Sequence, residues 1–409
     1  MLEPRVPPPR LPEPYGLWVD RNQTVTFSFE GQSYSGLQGD TIATALAANG
    51  QWLLSRSFKY HRPRGLLTLA GQDANTLVQL LSDPNALADR VSITEGLLVQ
   101  AQNFSGTLKR DRNAILGWLA PFLPVAFYYK AFFRPRGVWQ LWARFFRKRA
   151  GLGVIDQAFK PKRFAQSYRH CDILVIGGGA AGLAASIAAA EAGADVLLVD
   201  ENVVLGGSLN YTDPDLDESS DTVQRDALLA IVEQLENLEV LTSAMCNGWY
   251  ADNWIPVVQG EHLLKVRAQQ VIFATGSLEQ PVVFRNNDLP GIMMSSAAMR
   301  LVQLYGVQPG QKGVVVCGNW EGYRAALMLA GAGVRISGLV DFRVRPDDGH
   351  DLIDALDLAG IPIWFEHGVD QAIASVDQNH VAGVDVGPLQ AGQVLRDRVT
   401  RLTCDFVAM

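Results

Sequence analysis

The stretch Cys171–Leu209, CDILVIGGGAAGLAASIAAAEAGADVLLVDENVVLGGSL, decides the fold of this 409-residue chain. Its first apolar run leads into the pattern Gly177-x-Gly179-x-x-Gly182, and an alanine-rich segment then leads to a second apolar run that ends at Asp200. Strand, glycine turn, helix, second strand and acid follow one another at the spacing of a βαβ unit that binds a dinucleotide. The sequence therefore predicts an α/β fold and a bound dinucleotide.

Each residue type in this unit has a physical role. The three glycines allow a sharp turn, a close approach of backbone N–H groups to a pyrophosphate, and packing of the helix on the sheet. The amino terminus of the helix then faces the negative charge. The predicted cofactor-binding residues are Gly177, Gly179, Ala181 and Gly182 at the pyrophosphate, Asp200, Glu201 and Asn202 around the adenosine, and Gly207, Ser208, Met245, Thr275 and Gly276 behind or beneath it.

Asp200 also bears on which dinucleotide is bound. A carboxylate at this position accepts both hydroxyl groups of the adenosine ribose and disfavours a 2′-phosphate. The sequence therefore favours NAD or FAD over NADP, and both NAD and FAD fit the pattern.

The composition is that of an α/β enzyme of two or three domains, with 48% hydrophobic residues, 38 glycines and a mean hydropathy of +0.06. The net charge of −7 argues against nucleic acid as the main partner. The sequence lacks both an uninterrupted apolar run of about 18 residues and an apolar signal core near Met1, so we expect a cytoplasmic protein without a membrane span. The four cysteines form no CxxC pair, and no metal site is predicted.

Residues 1–20 form a proline-rich arm, and residues 21–100 predict a small ferredoxin-like domain. A hairpin is expected around Glu30–Gly31, and Asp40–Thr41 can cap a helix that ends at Gly50. This order is typical of plant-type ferredoxins, whose loop carries C-x4-C-x2-C. In that register the cysteine positions fall on Thr68, Asp73 and Thr76, so we expect no iron–sulfur cluster.

The polar loop Phe58–Gly65, FKYHRPRG, admits two interpretations. Its cations could pair with local acids as a solvated loop, or the loop could press its cations and an aromatic side chain onto a cofactor or a partner. His61 taken alone is better explained as a structural residue than as a catalytic one.

Four stretches resemble the α subunits of heterotetrameric sarcosine oxidase: GDTIATAL (39–46), RSFKYHRPRG (56–65), LAPFLPVAFYYK (119–130) and AGLG (150–153). The α subunits of opine, hydroxyproline and cyanide-forming amine dehydrogenases share parts of the first two. The third stretch lies in a connector that these shorter relatives generally lack, so sarcosine oxidase is favoured.

That connector spans residues 101–168, and residues 105–170 carry 14 Lys and Arg against two acids. GVWQLWARFFRKRAG (137–151) predicts a basic amphipathic helix, which could lie on a membrane surface or against another subunit. We favour a partner-facing connector.

Residues 169–409 predict a two-dinucleotide-type domain, in which the second βαβ unit has lost its glycine fingerprint. Gly318 is present, but Trp320 and Tyr323 stand where a pyrophosphate needs space. We therefore interpret this unit as packing without a second dinucleotide. The resemblance implies that the closing strand continues beyond Met409, so we expect a truncated domain in which strands near Gly313–Val316 and Ile336–Val340 lose apolar cover.

The resemblance also implies a function. The family oxidises sarcosine to glycine and forms hydrogen peroxide and 5,10-methylenetetrahydrofolate. It carries NAD in the α subunit, FMN between α and β, FAD in β, and tetrahydrofolate in a further domain of α, with γ and δ as the other partners. No catalytic residue is predicted within this chain. The alternatives are the α subunit of another amine or imino-acid dehydrogenase, acting on an opine or hydroxyproline, and a non-catalytic docking fragment.

Overall fold

The computed structural model describes residues 10–81, 83–122, 132, 134–150, 153–160, 163–211, 221–346 and 349–409. The chain divides into two units, Met1–Ala158 together with Gln280–Met409, and Phe159–Glu279. Most of the stretch 119–130 and Gly151–Leu152 lie outside the described residues, so these two parts of the resemblance carry no structural statement.

The amino-terminal part of the first unit is a mixed five-stranded sheet with one short helix. Phe29 pairs with Gln32 around a turn in which Glu30 and Gly31 have φ of 52° and 75°, so the predicted hairpin is confirmed. Thr41 caps the helix, accepting the Thr44 N–H. The elements are β1 (Asp20–Phe29), β2 (Gln32–Gln38), α1 (Ile42–Ala48), β3 (Ser55–Arg56), β4 (Pro63–Arg64), β5 (Leu77–Gln79), β6 (Ala86–Leu87) and β7 (Leu98–Ala101), with sheet order β2-β1-β7-β5-β6.

The connector contains two short 3-10 helices, Arg112–Gly117 and Ala120–Phe122, and the helix α2 (Trp139–Ala150). The predicted basic helix is therefore present. Among the described residues, no helix is both long and apolar enough to cross a membrane.

The second unit is built on a six-stranded sheet in which four parallel strands are continued by an antiparallel pair. The two central strands pair in one continuous register, from Ala165 opposite His262 to Ile176 opposite Phe273. The elements are β8 (Ala165–Ile176), α3 (Ala180–Glu191), β9 (Val196–Val199), α4 (Asp221–Val232), β10 (Leu238–Leu241), β11 (Ala244–Cys246), β12 (Trp254–Gln259) and β13 (His262–Phe273), with sheet order β10-β9-β8-β13-β12-β11.

The carboxyl-terminal part of the first unit has a parallel sheet and a smaller antiparallel one. The parallel sheet has the order β14-β22-β15-β16-β17, and β18, β19, β20 and β21 form the other. The elements are β14 (Ile292–Met293), α5 (Ser295–Tyr305), β15 (Lys312–Cys317), α6 (Glu321–Gly331), β16 (Arg335–Asp341), α7 (Asp351–Leu358), β17 (Ile363–Phe365), β18 (His367–Ala374), β19 (Val381–Gln390), β20 (Gln393–Val394), β21 (Thr400–Thr403) and β22 (Phe406–Ala408).

The last strand lies inside the parallel sheet, between β14 and β15. Phe406, Val407 and Ala408 are fully buried, and the apolar residues of β15 and β16 are buried as well. The expected loss of cover on these strands is therefore wrong, because the ring of Phe406 packs over Gly313 and β22 pairs with its neighbours on both sides.

We predict that Phe406→Ala lowers the free energy of unfolding of this unit by about 3–5 kcal/mol, because a buried ring is replaced by a cavity. Urea denaturation of the 409-residue chain measures the change. Leu358→Ala, at a side chain that is 91% exposed, is the control and changes stability by no more than about 0.5 kcal/mol. A loss below about 1 kcal/mol for Phe406→Ala would show that the last strand does not pack as described.

Candidate functional site

The glycine turn after β8 is built so that side chains are excluded from it. Gly177 has a φ of 104°, and a Cβ atom there would lie 2.3 Å from the carbonyl oxygen of Ala274. A Cβ atom on Gly182 would lie 1.7 Å from the carbonyl oxygen of Gly177. The first helical turn thus packs directly on the strand end, as the fingerprint predicts.

A second glycine turn packs against the first, backbone on backbone. The N–H of Gly206 donates to the carbonyl oxygen of Gly178 at 2.8 Å. A Cβ atom on Gly207 would lie 2.9 Å from the Cα atom of Gly179. Ser208 follows immediately and is exposed at the same edge.

Asp200 is buried at the end of β9 and binds two backbone N–H groups. Its Oδ2 accepts from Gly178 at 2.6 Å, and its Oδ1 accepts from Asn202 at 2.7 Å. A carboxylate offers about four acceptor positions, and these two hydrogen bonds use half of them. Asp200 therefore fixes the glycine turn to the strand end, and its contact with a ribose stays a prediction.

The structure brings the twelve predicted cofactor-binding residues to one edge of the sheet. Met245 follows Ala244, whose N–H donates to the carbonyl oxygen of Asp200 at 2.9 Å. Ala274, which precedes Thr275 and Gly276, donates to the carbonyl oxygen of Ile176 at 2.8 Å. This is the carboxyl edge of the parallel strands, where ligands bind in open α/β sheets.

This edge fits an adenine dinucleotide. Gly179 caps α3 without a side-chain hydrogen bond, so the N–H groups of the first turn have no side chain in front of them. The side chains that surround the turn are exposed, namely Ala181, Glu201, Asn202, Ser208 and Thr275.

Arg225 is a candidate that the sequence did not single out. Its Cδ atom lies 3.0 Å from where a Cβ atom of Gly206 would be, and its guanidinium binds Asn210 at 3.3 Å and Asp226 at 2.7 Å. Arg225 is the single cation of α4, and the packing of this helix shows that it reaches the second glycine turn.

The second βαβ unit has its corresponding place filled by side chains. The hydroxyl of the fully buried Tyr323 donates to Oδ2 of Asp341 at 2.7 Å, and Arg343 binds the same carboxylate at 2.8 Å. Trp320 lies between the Arg343 guanidinium, 4.3 Å from its ring centre, and His350, stacked at 3.8 Å. Burial and the Asp341 carboxylate raise the pKa of Tyr323, which keeps the hydroxyl a donor.

Three polar side chains of the loop Phe58–Gly65 bind acids within the same unit. Arg62 and Arg64 both bind the carboxylate of Asp288, at 2.6 Å from Arg62 and at 2.5 Å from Arg64. Nδ1 of the buried His61 lies 2.6 Å from Oδ2 of Asp111. Although burial opposes it, hydrogen bonds from His61 and from backbone N–H groups hold the pKa of Asp111 below its ordinary value. These contacts support the structural interpretation of the loop. The acids that pair with its side chains are distant in sequence, so the expectation of local acids is wrong.

Two protein families match the chain. One is described as a 2Fe-2S iron-sulfur cluster binding domain and covers residues 22–104. The other is described as FAD dependent oxidoreductase and covers residues 172–276. The predicted fold class, a ferredoxin-like domain before a dinucleotide-binding domain, is thereby confirmed, and the second family indicates a flavin cofactor.

The chain is similar to sarcosine oxidase α subunits. It is 39% identical to that of Rhizobium meliloti (strain 1021), over 91% of this chain and 39% of the relative. It is 29% identical to that of Corynebacterium sp. (strain P-1), over 77% of this chain and 30% of the relative. The chain thus spans less than half the length of these relatives.

Among solved structures, an L-proline dehydrogenase from P. horikoshii has the same fold. It aligns with a TM-score of 0.60 and 19% identity, over 97% of this chain and 62% of that protein. At this identity the likeness concerns the fold alone.

We predict that Asp200→Ala weakens binding of an adenine dinucleotide by about 1–3 kcal/mol, the loss of a charge-assisted hydrogen bond. Titration calorimetry with NAD and with FAD measures the change. Asp195→Ala removes a half-exposed carboxylate that pairs with Arg169 away from the glycine turns, and it serves as the control. Unchanged affinity in a folded Asp200→Ala chain contradicts the assignment of the ribose site.

Proposed function

Because this chain is a relative of the sarcosine oxidase α subunits, we propose that it forms the dinucleotide-binding part of an amine-oxidising flavoenzyme of that kind. The observation that carries the proposal is the exposed edge of the second unit, where two glycine turns and a helix amino terminus face the same space. The residues proposed to hold the cofactor are Gly177, Gly179, Ala181, Gly182, Asp200, Glu201, Asn202, Gly207, Ser208, Met245, Thr275 and Gly276.

The proposed reaction of the complete complex converts sarcosine, tetrahydrofolate and O2 into glycine, 5,10-methylenetetrahydrofolate and hydrogen peroxide. Sarcosine loses two electrons, which reduce O2, and its methyl carbon passes to the folate. FAD in a β subunit and FMN between α and β supply the redox chemistry in this proposal. This chain's own residues bind and orient a nucleotide, and none is assigned as a catalytic acid, base or nucleophile.

NAD is the dinucleotide that we propose for the first site. Asp200 supports it over NADP, because a 2′-phosphate would face a buried carboxylate. FAD uses the same kind of turn, and the family that matches residues 172–276 favours a flavin. A cytoplasmic location is part of the proposal, supported by the four free cysteines.

Extraction of the bound nucleotide from the purified chain tests the choice. We expect NAD on chromatography with mass detection, and no visible absorbance from the isolated chain. Released FAD with a flavin spectrum overturns NAD and keeps the dinucleotide site. A folded chain that binds neither NAD nor FAD contradicts the proposal and favours a docking role.

The substrate is tested on the purified complex. We expect sarcosine to bleach the flavin absorbance under anaerobic conditions, with peroxide formed on exposure to air. Bleaching by an opine or hydroxyproline, but not by sarcosine, assigns the complex to another amine dehydrogenase.

The partner subunits of this proposal have a surface suited to them. Ile115, Trp118 and Phe122 are exposed on the two 3-10 helices, Trp118 by 85% and Phe122 by 80%. Aromatic residues and Arg are enriched at protein interfaces, and the surrounding segment is strongly basic. We assign this surface to the β, γ or δ subunits.

We predict that Trp118→Ser with Phe122→Ser weakens association with the partner subunits at least about tenfold, because anchoring aromatic residues dominate interface energies. Co-purification and analytical ultracentrifugation of the reconstituted complex measure it. Leu358→Ser, an equally exposed apolar residue on α7, is the control. Full assembly of the double variant would remove this surface from the interface.

A further inference from the structure

The loop between β4 and β5 is folded around a buried carboxyl group, Asp73. Backbone N–H groups of Leu67, Thr68 and Leu69 donate to it at 2.8, 2.9 and 3.3 Å, and the Thr68 hydroxyl donates at 2.6 Å. Four donors use the acceptor capacity of one carboxylate. Asp73 thus holds the whole first half of the loop.

A second buried carboxyl group, Asp89, holds the other half from the end of β6. Its Oδ2 accepts the N–H groups of Gln72 and Asp73 at 3.2 and 3.3 Å. The Thr76 hydroxyl oxygen lies 3.5 Å from its Oδ1, and the Thr76 carbonyl accepts the N–H of Ala88 at 3.1 Å. Asp89 therefore meets the same loop that Asp73 organises.

Thr68, Asp73 and Thr76 are the three positions where the ferredoxin register places cysteine. A plant-type cluster needs four thiolates, the fourth from elsewhere in the chain. Asp89, 13 residues after Thr76, is a side chain that the structure brings against these three. The sequence pattern gave no position for the fourth.

We propose that Thr68, Asp73, Thr76 and Asp89 stand where a ferredoxin has the four cysteine ligands of its cluster, and that they replace those ligands in this chain. The two carboxyl groups preserve the shape of the loop, because they accept the N–H groups that would donate to sulfur in a ferredoxin. Several N–H dipoles that converge on one point favour an anion there, and in iron–sulfur proteins, whose thiolates hold the cluster, such N–H groups donate to sulfur.

Arg300 supports the loop from α5 by donating to the carbonyl oxygen of Thr68 at 2.8 Å.

The replacement has a consequence for function. Residues 22–104 contain no cysteine, so this domain has no thiolate with which to hold an iron relay. Its buried groups make contacts within the same unit, where Arg56 donates to Asn379 at 2.9 Å.

The test restores the four thiolates in the 409-residue chain, as Thr68→Cys, Asp73→Cys, Thr76→Cys and Asp89→Cys together. After anaerobic reconstitution with iron and sulfide, we expect stoichiometric iron, the visible absorption of a [2Fe–2S] cluster and an EPR signal on reduction. The matched control has the first three substitutions together with Asp89→Ala, which leaves no ligand atom at the fourth position, and we expect it to hold little iron.

Either of two results with the cysteine variants overturns the proposal. One is a four-cysteine chain that is folded by circular dichroism and binds no cluster. The other is a three-cysteine control that binds as much as the four-cysteine chain, which removes Asp89 from the fourth position. Stoichiometric iron and sulfide in the unaltered chain would also refute it.

A second measurement keeps the proposal testable where the four-cysteine chain does not fold. Asp73→Ala should accelerate hydrogen exchange at the amides of Leu67, Thr68 and Leu69 at least about tenfold, because they lose their acceptor. Asp377→Ala, at an exposed acid in another loop, is the control. Unchanged protection at the three amides shows that Asp73 does not hold the loop.

Discussion

The hydrogen bonds around Asp200 are the interaction on which the sheet edge with the two glycine turns depends. A buried carboxylate is tolerated only when its oxygens are hydrogen-bonded, and Asp200 meets this need with the N–H groups of Gly178 and Asn202. Its own carbonyl oxygen accepts the N–H of Ala244. These contacts fix the glycine turn, the end of β9 and the start of β11 relative to one another, so α3 starts at a defined point on the edge.

The second βαβ unit shows how the same geometry becomes packing. Asp341 stands at the end of β16 as Asp200 stands after β9, and in both cases the N–H two residues later donates to the carboxylate. The difference lies in the other oxygen, which binds the Tyr323 hydroxyl instead of a glycine N–H. The cation–π contact of Arg343 with Trp320, worth about 0.5–2 kcal/mol, then closes the space. Where the first βαβ unit has glycines, the second has Trp320 and Tyr323, and these aromatic side chains fill the space at its turn.

The first unit contains a buried cation, Arg56, that is held by four hydrogen bonds. Arg56 donates to the carbonyl oxygens of His61, Leu108 and Lys109 as well as to Asn379. Since one unpaired charge in such a place costs several kcal/mol, the network requires all of its members. The cation-rich loop Phe58–Gly65 therefore stabilises the fold through contacts within its own unit.

The sequence by itself determined the elements whose cause is local. Glycine spacing predicted the turn at Gly177, alternation and a turn pair predicted the hairpin at Glu30–Gly31, and bulky side chains at Trp320 and Tyr323 predicted a filled turn. Each of these depends on steric limits between residues close in the chain. The sequence therefore predicts the fold class and the position of the candidate site without any knowledge of long-range contacts.

Tertiary structure alone decided which distant groups meet. The partners of His61, Arg62 and Thr76 are Asp111, Asp288 and Asp89, and the sequence expectation of local acids gave no means to choose them. The burial of β22 between β14 and β15 was likewise missed, since strand order depends on the packing of the whole sheet. Long-range pairing depends on the free energy of the whole chain, including its burial and hydrogen bonding. A short stretch of sequence does not determine that free energy.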